Sequence, residues 1–254
     1  MSGFDDKTYE VEGINPLTGD TVFELPRVTS ILSQLAKPAL KQWAANVAAD
    51  KAIALMQEDG PQTLEAIRDE ARYAYKSVSD DAVDLGSELH DYLEKVNRLQ
   101  DGGDMALPAA QDITSGWVHD YVEWFQKVHL KPLLVEQRLV GPGYAGTVDL
   151  VAECDYAWFT SRDKALQKET RKKRVVLMID FKTGKGTNYP EWGLQTAAYR
   201  HALELQGQHI DVNAALRFNK INGKMARVAD HSMNYKRDLE MFFCLRDYHW
   251  LKGT

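Results

Sequence analysis

Residues 175–182 read VVLMIDFK, an apolar run that ends in an aspartate and a lysine. Consecutive β-branched and large apolar residues are typical of a strand buried within a sheet. Side chains alternate between the two faces of a strand, so Asp180 and Lys182 should point the same way, about 6–7 Å apart along the chain. Charged groups beside a buried run carry a desolvation cost. The pair therefore indicates either a functional site or a solvated strand end with an incidental ion pair.

The segments around this strand predict a sheet covered by helices. Apolar runs and turn residues predict a hairpin within 9–25 and four further strands, at 132–140, 145–153, 214–218 and 225–228. Helical spacing of apolar residues predicts helices at 38–56, 62–78, 81–99, 109–128, 191–206 and 235–251.

This order, helices first and then β-β-β-α-β-β-α, predicts an α+β protein with a central mixed sheet flanked by helices. We expect two parts that together form one compact unit. Residues 1–130 would be a mainly helical N-terminal region, and residues 131–254 would be the core that carries the sheet.

Composition excludes some functions and leaves others open. The 254 residues are 44% apolar and 27% charged, with a formal net charge of -6, which does not favour a nucleic-acid partner and does not exclude one. Cys154 and Cys244 have no metal-ligand spacing, so a zinc ribbon or a four-cysteine iron–sulfur cluster is excluded. The sequence shows no signal peptide and no apolar stretch long enough to span a membrane, which favours a soluble cytoplasmic protein without a membrane partner.

Asp149 lies in the strand that precedes the VVLMIDFK strand. If the two strands pair, Asp149 comes beside Asp180, and two neighbouring carboxylates repel unless a cation lies between them. Oxygen ligands of this kind suit Mg²⁺ or Mn²⁺. The alternative is a pair of unrelated surface aspartates.

Two further positions carry groups that suit such a site. Gln195 and Tyr199 are four residues apart on a predicted helix, so they share one face and could donate hydrogen bonds to a phosphate or stack on a base. The alternative is the ordinary polar stripe of an amphipathic helix. His90 follows Gly86 by one helical turn, and its imidazole could complete a carboxylate metal site.

Four motifs in this order resemble the RecB-like branch of the PD-(D/E)xK nucleases, which includes phage recombination exonucleases, CRISPR adaptation exonucleases and mitochondrial genome maintenance exonuclease. The matching motifs are Gly86-xxx-His90, Gly146-xx-Asp149, Asp180-x-Lys182 and Gln195-xxx-Tyr199. The resemblance implies a restriction-endonuclease-like core preceded by a helical region that contributes His90.

The resemblance also implies roles for individual residues. The catalytic residues would be Asp149, Asp180 and Lys182. The ligands of one or two Mg²⁺ or Mn²⁺ ions would be His90, Asp149, Asp180 and the backbone carbonyl of Phe181. Gln195 and Tyr199 would bind DNA, and Glu136 on the preceding strand is a candidate outer ligand. Members of this branch with an iron–sulfur cluster use four cysteines, so this chain would belong with the members that lack the cluster.

The implied activity is metal-dependent DNA exonuclease activity with little sequence specificity, in recombination, repair or genome processing in a bacterial or phage-infected cell. Its partners would be single-stranded DNA or duplex ends, and a single-strand-binding or annealing protein. Three alternatives stay open: a catalytically silent DNA-binding module of the same fold, an endonuclease and a metal-dependent hydrolase of small phosphates. The basic segment 161–174, SRDKALQKETRKKR, is either a mobile solvated loop or an arm that contacts phosphates.

Overall fold

The strands of the computed structural model form a two-stranded sheet, β1-β2, and a five-stranded mixed sheet in the order β3-β4-β5-β6-β7. The structure describes residues 8–12, 21–35, 37–58, 63–99, 113–155, 174–184, 189–219 and 224–252. The strands are β1 Thr8–Glu12, β2 Val22–Pro26, β3 Lys131–Gly141, β4 Tyr144–Asp155, β5 Arg174–Gly184, β6 Val212–Asn219 and β7 Lys224–Asp230. The helices of four or more turns are α2 Pro38–Gln57, α3 Leu64–Arg98, α4 Ile113–Lys127, α5 Pro190–Leu205 and α6 Tyr235–Lys252, and α1 is the short helix Val28–Leu32.

The five-stranded sheet confirms the α+β class and the mixed sheet flanked by helices. β3, β4 and β5 are antiparallel neighbours, whereas β5 and β6 are parallel and are joined through α5. A parallel pair needs such a crossover, because a tight turn can join only antiparallel strands. β7 returns antiparallel to β6. The chain between them contains Asn222-Gly223, a dipeptide typical of hairpin turns, and residues 220–223 lie outside the described residues.

An aromatic part of the core lies between α4 and the strands β5 and β6. Trp117 and Tyr121 of α4 are fully buried. The Trp117 ring lies 6.1 Å from that of Phe218, and the Tyr121 ring meets that of Phe181 edge-on at 5.6 Å. These contacts fix the strand that carries Asp180 and Lys182.

Helix α5, Pro190–Leu205, lies within one residue of the predicted range 191–206 at both ends. Pro190 occupies the first turn, where its missing N–H costs nothing. Gly207, just beyond the helix, has a φ of 83°, a conformation that glycine adopts without strain and that commonly terminates helices. Between these ends α5 buries Gln195 and Tyr199.

One sequence prediction differs from the structure, and another falls almost entirely outside the described residues. The helices expected at 62–78 and 81–99 form one continuous helix, α3. Ser77, Ser79, Asp80 and Asp81 lower helix propensity by only a few tenths of a kcal/mol each, which is too little to end a helix. The basic segment 161–174 lies outside the described residues except for Arg174, which begins β5.

Contacts within the chain divide it into two compact units, and the division does not fall at residue 130, where we expected a boundary. One unit is Leu35–Glu88, and the other combines Met1–Gln34 with Leu89–Thr254. His90, α4 and the N-terminal β1-β2 hairpin therefore belong to the same unit as the five-stranded sheet. In the described part of the chain, no helix has the length and apolar character that a membrane crossing requires.

Candidate metal centre

Asp149 lies where β4 and β5 diverge. The ladder of these two strands ends at the pair Leu150–Ile179, so Asp149 and Asp180 are the next residues on their strands. The expected pairing of the two strands is confirmed. Asp149 is 7% exposed and accepts a hydrogen bond from the backbone N–H of Phe181. Burial raises the pKa of Asp149 well above its ordinary value and the charge of Asp180 raises it further, while Lys182 and the Phe181 N–H oppose the rise.

Asp180, Lys182, Gln195 and Tyr199 form a hydrogen-bonded group that we call the lysine network. The Lys182 Nζ lies 2.6 Å from Asp180 Oδ2 and donates a hydrogen bond to Gln195 Oε1 at 2.9 Å. The Gln195 Nε2 donates to Asp180 Oδ1 at 2.8 Å and to the Tyr199 hydroxyl at 3.1 Å. Gln195 therefore binds both Asp180 and Lys182 and holds the two side chains in one geometry.

Gly146 makes room for this network. A Cβ atom at Gly146 would lie 2.5 Å from Cε1 of the Tyr199 ring, closer than real Cβ contacts allow. Any side chain at position 146 would therefore displace the tyrosine that binds Gln195. This contact gives a physical reason for the glycine in the Gly146-xx-Asp149 motif.

His90, Glu136 and Asp149 form a second group, which we call the His90 triad. Each residue offers one ligand atom, and these atoms all lie within 4.8 Å of one another. The His90 Nδ1 is 3.7 Å from Asp149 Oδ1, and the imidazole packs edge-on against Phe181. One nitrogen and two carboxylate oxygens at this separation could hold a divalent cation.

Glu136 reaches the triad through an unusual backbone conformation. The residues on either side of it pair with β4, Val135 with Leu150 and Gln137 with Val148, so Glu136 lies opposite Asp149. Its φ is 49°, in the left-handed region that costs a non-glycine residue about 1 kcal/mol or more. Burial, and after it the charge of Asp149, raises the pKa of Glu136 to about 7. A strained carboxylate held against a second carboxylate favours a bound cation at this place.

The structure brings the expected site residues into two adjacent groups rather than one. His90 and Asp149 lie in the triad, together with Glu136, which the sequence marked only as a candidate outer ligand. Asp180 lies in the lysine network, and its charge reaches Asp149. A ligand role for Asp180 stays a prediction, as does one for the Phe181 carbonyl.

The expected DNA contacts of Gln195 and Tyr199 also stay a prediction. Gln195 is 6% exposed and Tyr199 is 4% exposed, and their polar groups bind within the lysine network. Burial and the charge of Asp180 raise the pKa of Tyr199, so its hydroxyl keeps its proton. In this arrangement both residues position Asp180 and Lys182.

Comparison with known proteins adds little to this geometry. No protein-family model matches the chain, and no curated protein matches it. Among solved structures, the crystal structure of SSO0001 aligns with 80% of this chain and 86% of its own, at 13% sequence identity and a TM-score of 0.30. A likeness this loose carries no argument about activity.

Proposed function

We propose that this chain is a metal-dependent deoxyribonuclease of the PD-(D/E)xK type, in the RecB-like branch, built on a restriction-endonuclease-like core. The observation that carries the proposal is the adjacency of two groups at the point where β4 and β5 diverge. The His90 triad gathers two carboxylates and an imidazole, and the lysine network holds Lys182 against Asp180 beside it. A metal ion and a fixed lysine side by side can both stabilise the negative charge that develops on a phosphate during hydrolysis.

The residues present fit a hard divalent cation. Glu136 and Asp149 would supply oxygen ligands and His90 a nitrogen ligand. Burial is the main cause of the raised pKa of both carboxyls, and a neighbouring carboxylate raises each pKa further, Asp149 for Glu136 and Asp180 for Asp149, so a bound cation would stabilise their charged forms. Asp180 and the Phe181 carbonyl would complete the set implied by the resemblance. A bound Mg²⁺ or Mn²⁺ lowers the pKa of a coordinated water and polarises a phosphate oxygen.

Lys182 would stabilise negative charge on the attacked phosphate. Its Nζ is fixed by Asp180 and Gln195, so its charge needs little rearrangement when the substrate binds. Gln195 is a positioning residue in this account, because it acts through Lys182 and Asp180. Tyr199 supports Gln195 through the hydrogen bond to its hydroxyl.

The resemblance further favours exonucleolytic cleavage with little sequence preference, on single-stranded DNA or duplex ends. Contacts to the phosphate backbone would dominate binding, so affinity should fall steeply as salt rises. A role in recombination, repair or genome processing, together with a single-strand-binding or annealing protein, is part of the same proposal.

The test is a cleavage assay with end-labelled linear DNA and with circular single-stranded DNA, in Mg²⁺, Mn²⁺ or EDTA. Wild type should degrade the linear substrates only with metal, and should leave the circle intact if it is an exonuclease. Asp180→Asn should abolish cleavage. Glu153→Gln is the matched control, because it makes the same kind of change on β4, four residues beyond Asp149, and should leave cleavage intact.

Three results would redirect the proposal. DNA binding without cleavage in either metal would favour the silent binding module. Hydrolysis of p-nitrophenyl phosphate esters without cleavage of DNA would favour a small-phosphate hydrolase. Equal cleavage by wild type and Asp180→Asn would place the activity elsewhere.

A further inference from the structure

Two arginines lie against one tyrosine ring beside the candidate metal centre. The guanidinium carbon of Arg27 is 5.0 Å from the centre of the Tyr9 ring, and that of Arg138 is 5.4 Å from the same centre. Tyr9 is on β1, Arg27 follows β2 and Arg138 is on β3, so three separate segments meet here. We call these three residues the Tyr9 cluster.

The cluster presents an exposed positive charge, that of Arg138. Over the residues that the structure describes, no carboxylate forms an ion pair with it. The cation–π contact with the Tyr9 ring contributes about 0.5–1 kcal/mol at an exposed site and leaves the charge of the guanidinium in place. An anion from outside the chain would neutralise this charge.

The position of the Tyr9 cluster indicates which anion would bind there. The Tyr9 hydroxyl and the Thr147 Oγ1 share a hydrogen bond at 2.8 Å, and Arg138 pairs with Thr147 in the β3-β4 ladder. Thr147 precedes Asp149 by two residues, and Arg138 follows Glu136 by two residues. Two residues along a strand span about 6–7 Å. The cluster is therefore about one nucleotide away from the carboxylates of the His90 triad.

We propose that Tyr9, Arg27 and Arg138 bind the backbone phosphate adjacent to the phosphate that is held at the metal centre. Guanidinium groups suit this task, because their planar donor forks match the oxygens of a phosphate. A second phosphate site selects a polynucleotide over a mononucleotide or a small phosphate ester. This inference rests on the proposed nuclease function and names the substrate class of that site.

The test measures the binding of fluorescent single-stranded DNA and RNA oligonucleotides in EDTA, so that no cleavage occurs, over a series of KCl concentrations. Arg138→Gln should weaken binding about five- to tenfold at low salt. It should also reduce the slope of log affinity against log salt by about 0.7, the value for one lost phosphate contact on a single strand. Tyr9→Leu, which removes the ring that orders both arginines, should lower affinity in the same direction.

Lys131→Gln is the matched control. It removes one positive charge from the opposite end of β3, where Lys131 pairs weakly with Glu153. The salt slope of this variant should stay at the wild-type value. Because Arg138 is exposed and its contact with the Tyr9 ring contributes only about 0.5–1 kcal/mol, Arg138→Gln should stay folded in a thermal melt at the assay temperature, so a binding loss in this variant is not a folding loss.

The two proposals fail in different ways. If wild type cleaves DNA with Mn²⁺ but Arg138→Gln and Lys131→Gln show the same affinity and slope, the Tyr9 cluster is not a phosphate site. If the slope falls in Arg138→Gln but wild type cleaves nothing in any metal, the cluster stands as a nucleic-acid site and the nuclease proposal falls. A parallel loss for DNA and RNA would support backbone recognition, and a loss of neither would overturn it.

Discussion

The two ends of the β4-β5 ladder both carry carboxylates, which meet different neighbours. At the end formed by Asp155 and Arg174, the Arg174 guanidinium lies 3.8 Å from Glu153 and 3.4 Å from Asp155, and the His129 imidazole lies 2.7 Å from Asp155. At the other end, just beyond the pair Leu150–Ile179, Asp149 faces a second carboxylate, Glu136, and the histidine His90. The ladder therefore has a neutralised end and an acidic end.

The two ends differ in their contribution to the stability of the fold. The ion pairs near Asp155 are partly exposed and each contributes about 1 kcal/mol or less to stability. At the Asp149 end, burial and repulsion raise the pKa of Asp149 and Glu136, and Glu136 also adopts a strained backbone. Costs of this kind gather at functional sites. The acidic end is where a cation would restore the balance.

After the abolition expected for Asp180→Asn, the largest effect should come from removing the lysine beside the acidic end. Lys182→Met should lower the rate of DNA cleavage about 10²–10³-fold, because a fixed donor to the developing charge is lost. Single-turnover cleavage rates in Mn²⁺ would measure the loss. Lys131→Met removes a lysine from the neighbourhood of the neutralised end, and its rate should stay within about twofold of wild type. Similar rates for both variants would contradict a role for Lys182 in the chemistry.

An intermediate effect should follow from filling the space at Gly146. Gly146→Ala should destabilise the fold by about 1–3 kcal/mol and slow cleavage, since the new methyl group displaces the Tyr199 ring and with it Gln195. Urea unfolding and the cleavage assay would measure both losses.

Gly184→Ala is the control for this substitution, since nothing lies within 4 Å of an added Cβ there. Combining Gly146→Ala with Tyr199→Ala should cost less than the sum of the two separate losses, because the clash disappears. Strict additivity would show that the two residues do not compete for space.

The smallest effect concerns the pH dependence of stability without metal. The pKa of Glu136 is raised in the folded protein from 4.5 to about 7, so the folded protein holds a proton that the unfolded chain has released. Stability therefore falls as pH rises from about 4.5 to 7, and the loss is complete above that window. Glu136→Gln should be more stable than wild type by about 1–2 kcal/mol at pH 8.5 in EDTA, a figure reduced for partial exposure, and equal to it at pH 4.5.

Urea unfolding at the two pH values would measure this difference. Glu153→Gln should show no gain at pH 8.5, because Glu153 lies at the neutralised end beside Arg174. A gain of the same size in both variants would mean that the two ends of the β4-β5 ladder do not differ in this way.

The sequence predicted the parts of this site that depend on local pattern. Alternation along β5 predicted that Asp180 and Lys182 would meet, and helical spacing predicted the Gln195–Tyr199 pair. The position of Glu136 could not be read in the same way, because it depends on the β3-β4 register and on a left-handed backbone in the middle of a strand. The long-range contact of Tyr9 with Thr147 likewise has no local signal.

The most direct test of the account is a calorimetric titration of the metal-free protein with Mn²⁺. Wild type should bind one or two ions per chain. Glu136→Gln should bind the first ion at least about tenfold more weakly, since even a partner outside the ligand set typically costs 10–100-fold, and Glu153→Gln should bind it as wild type does. Absence of Mn²⁺ binding by wild type, or equal affinity in Glu136→Gln and Glu153→Gln, would contradict a metal centre at the acidic end of the β4-β5 ladder.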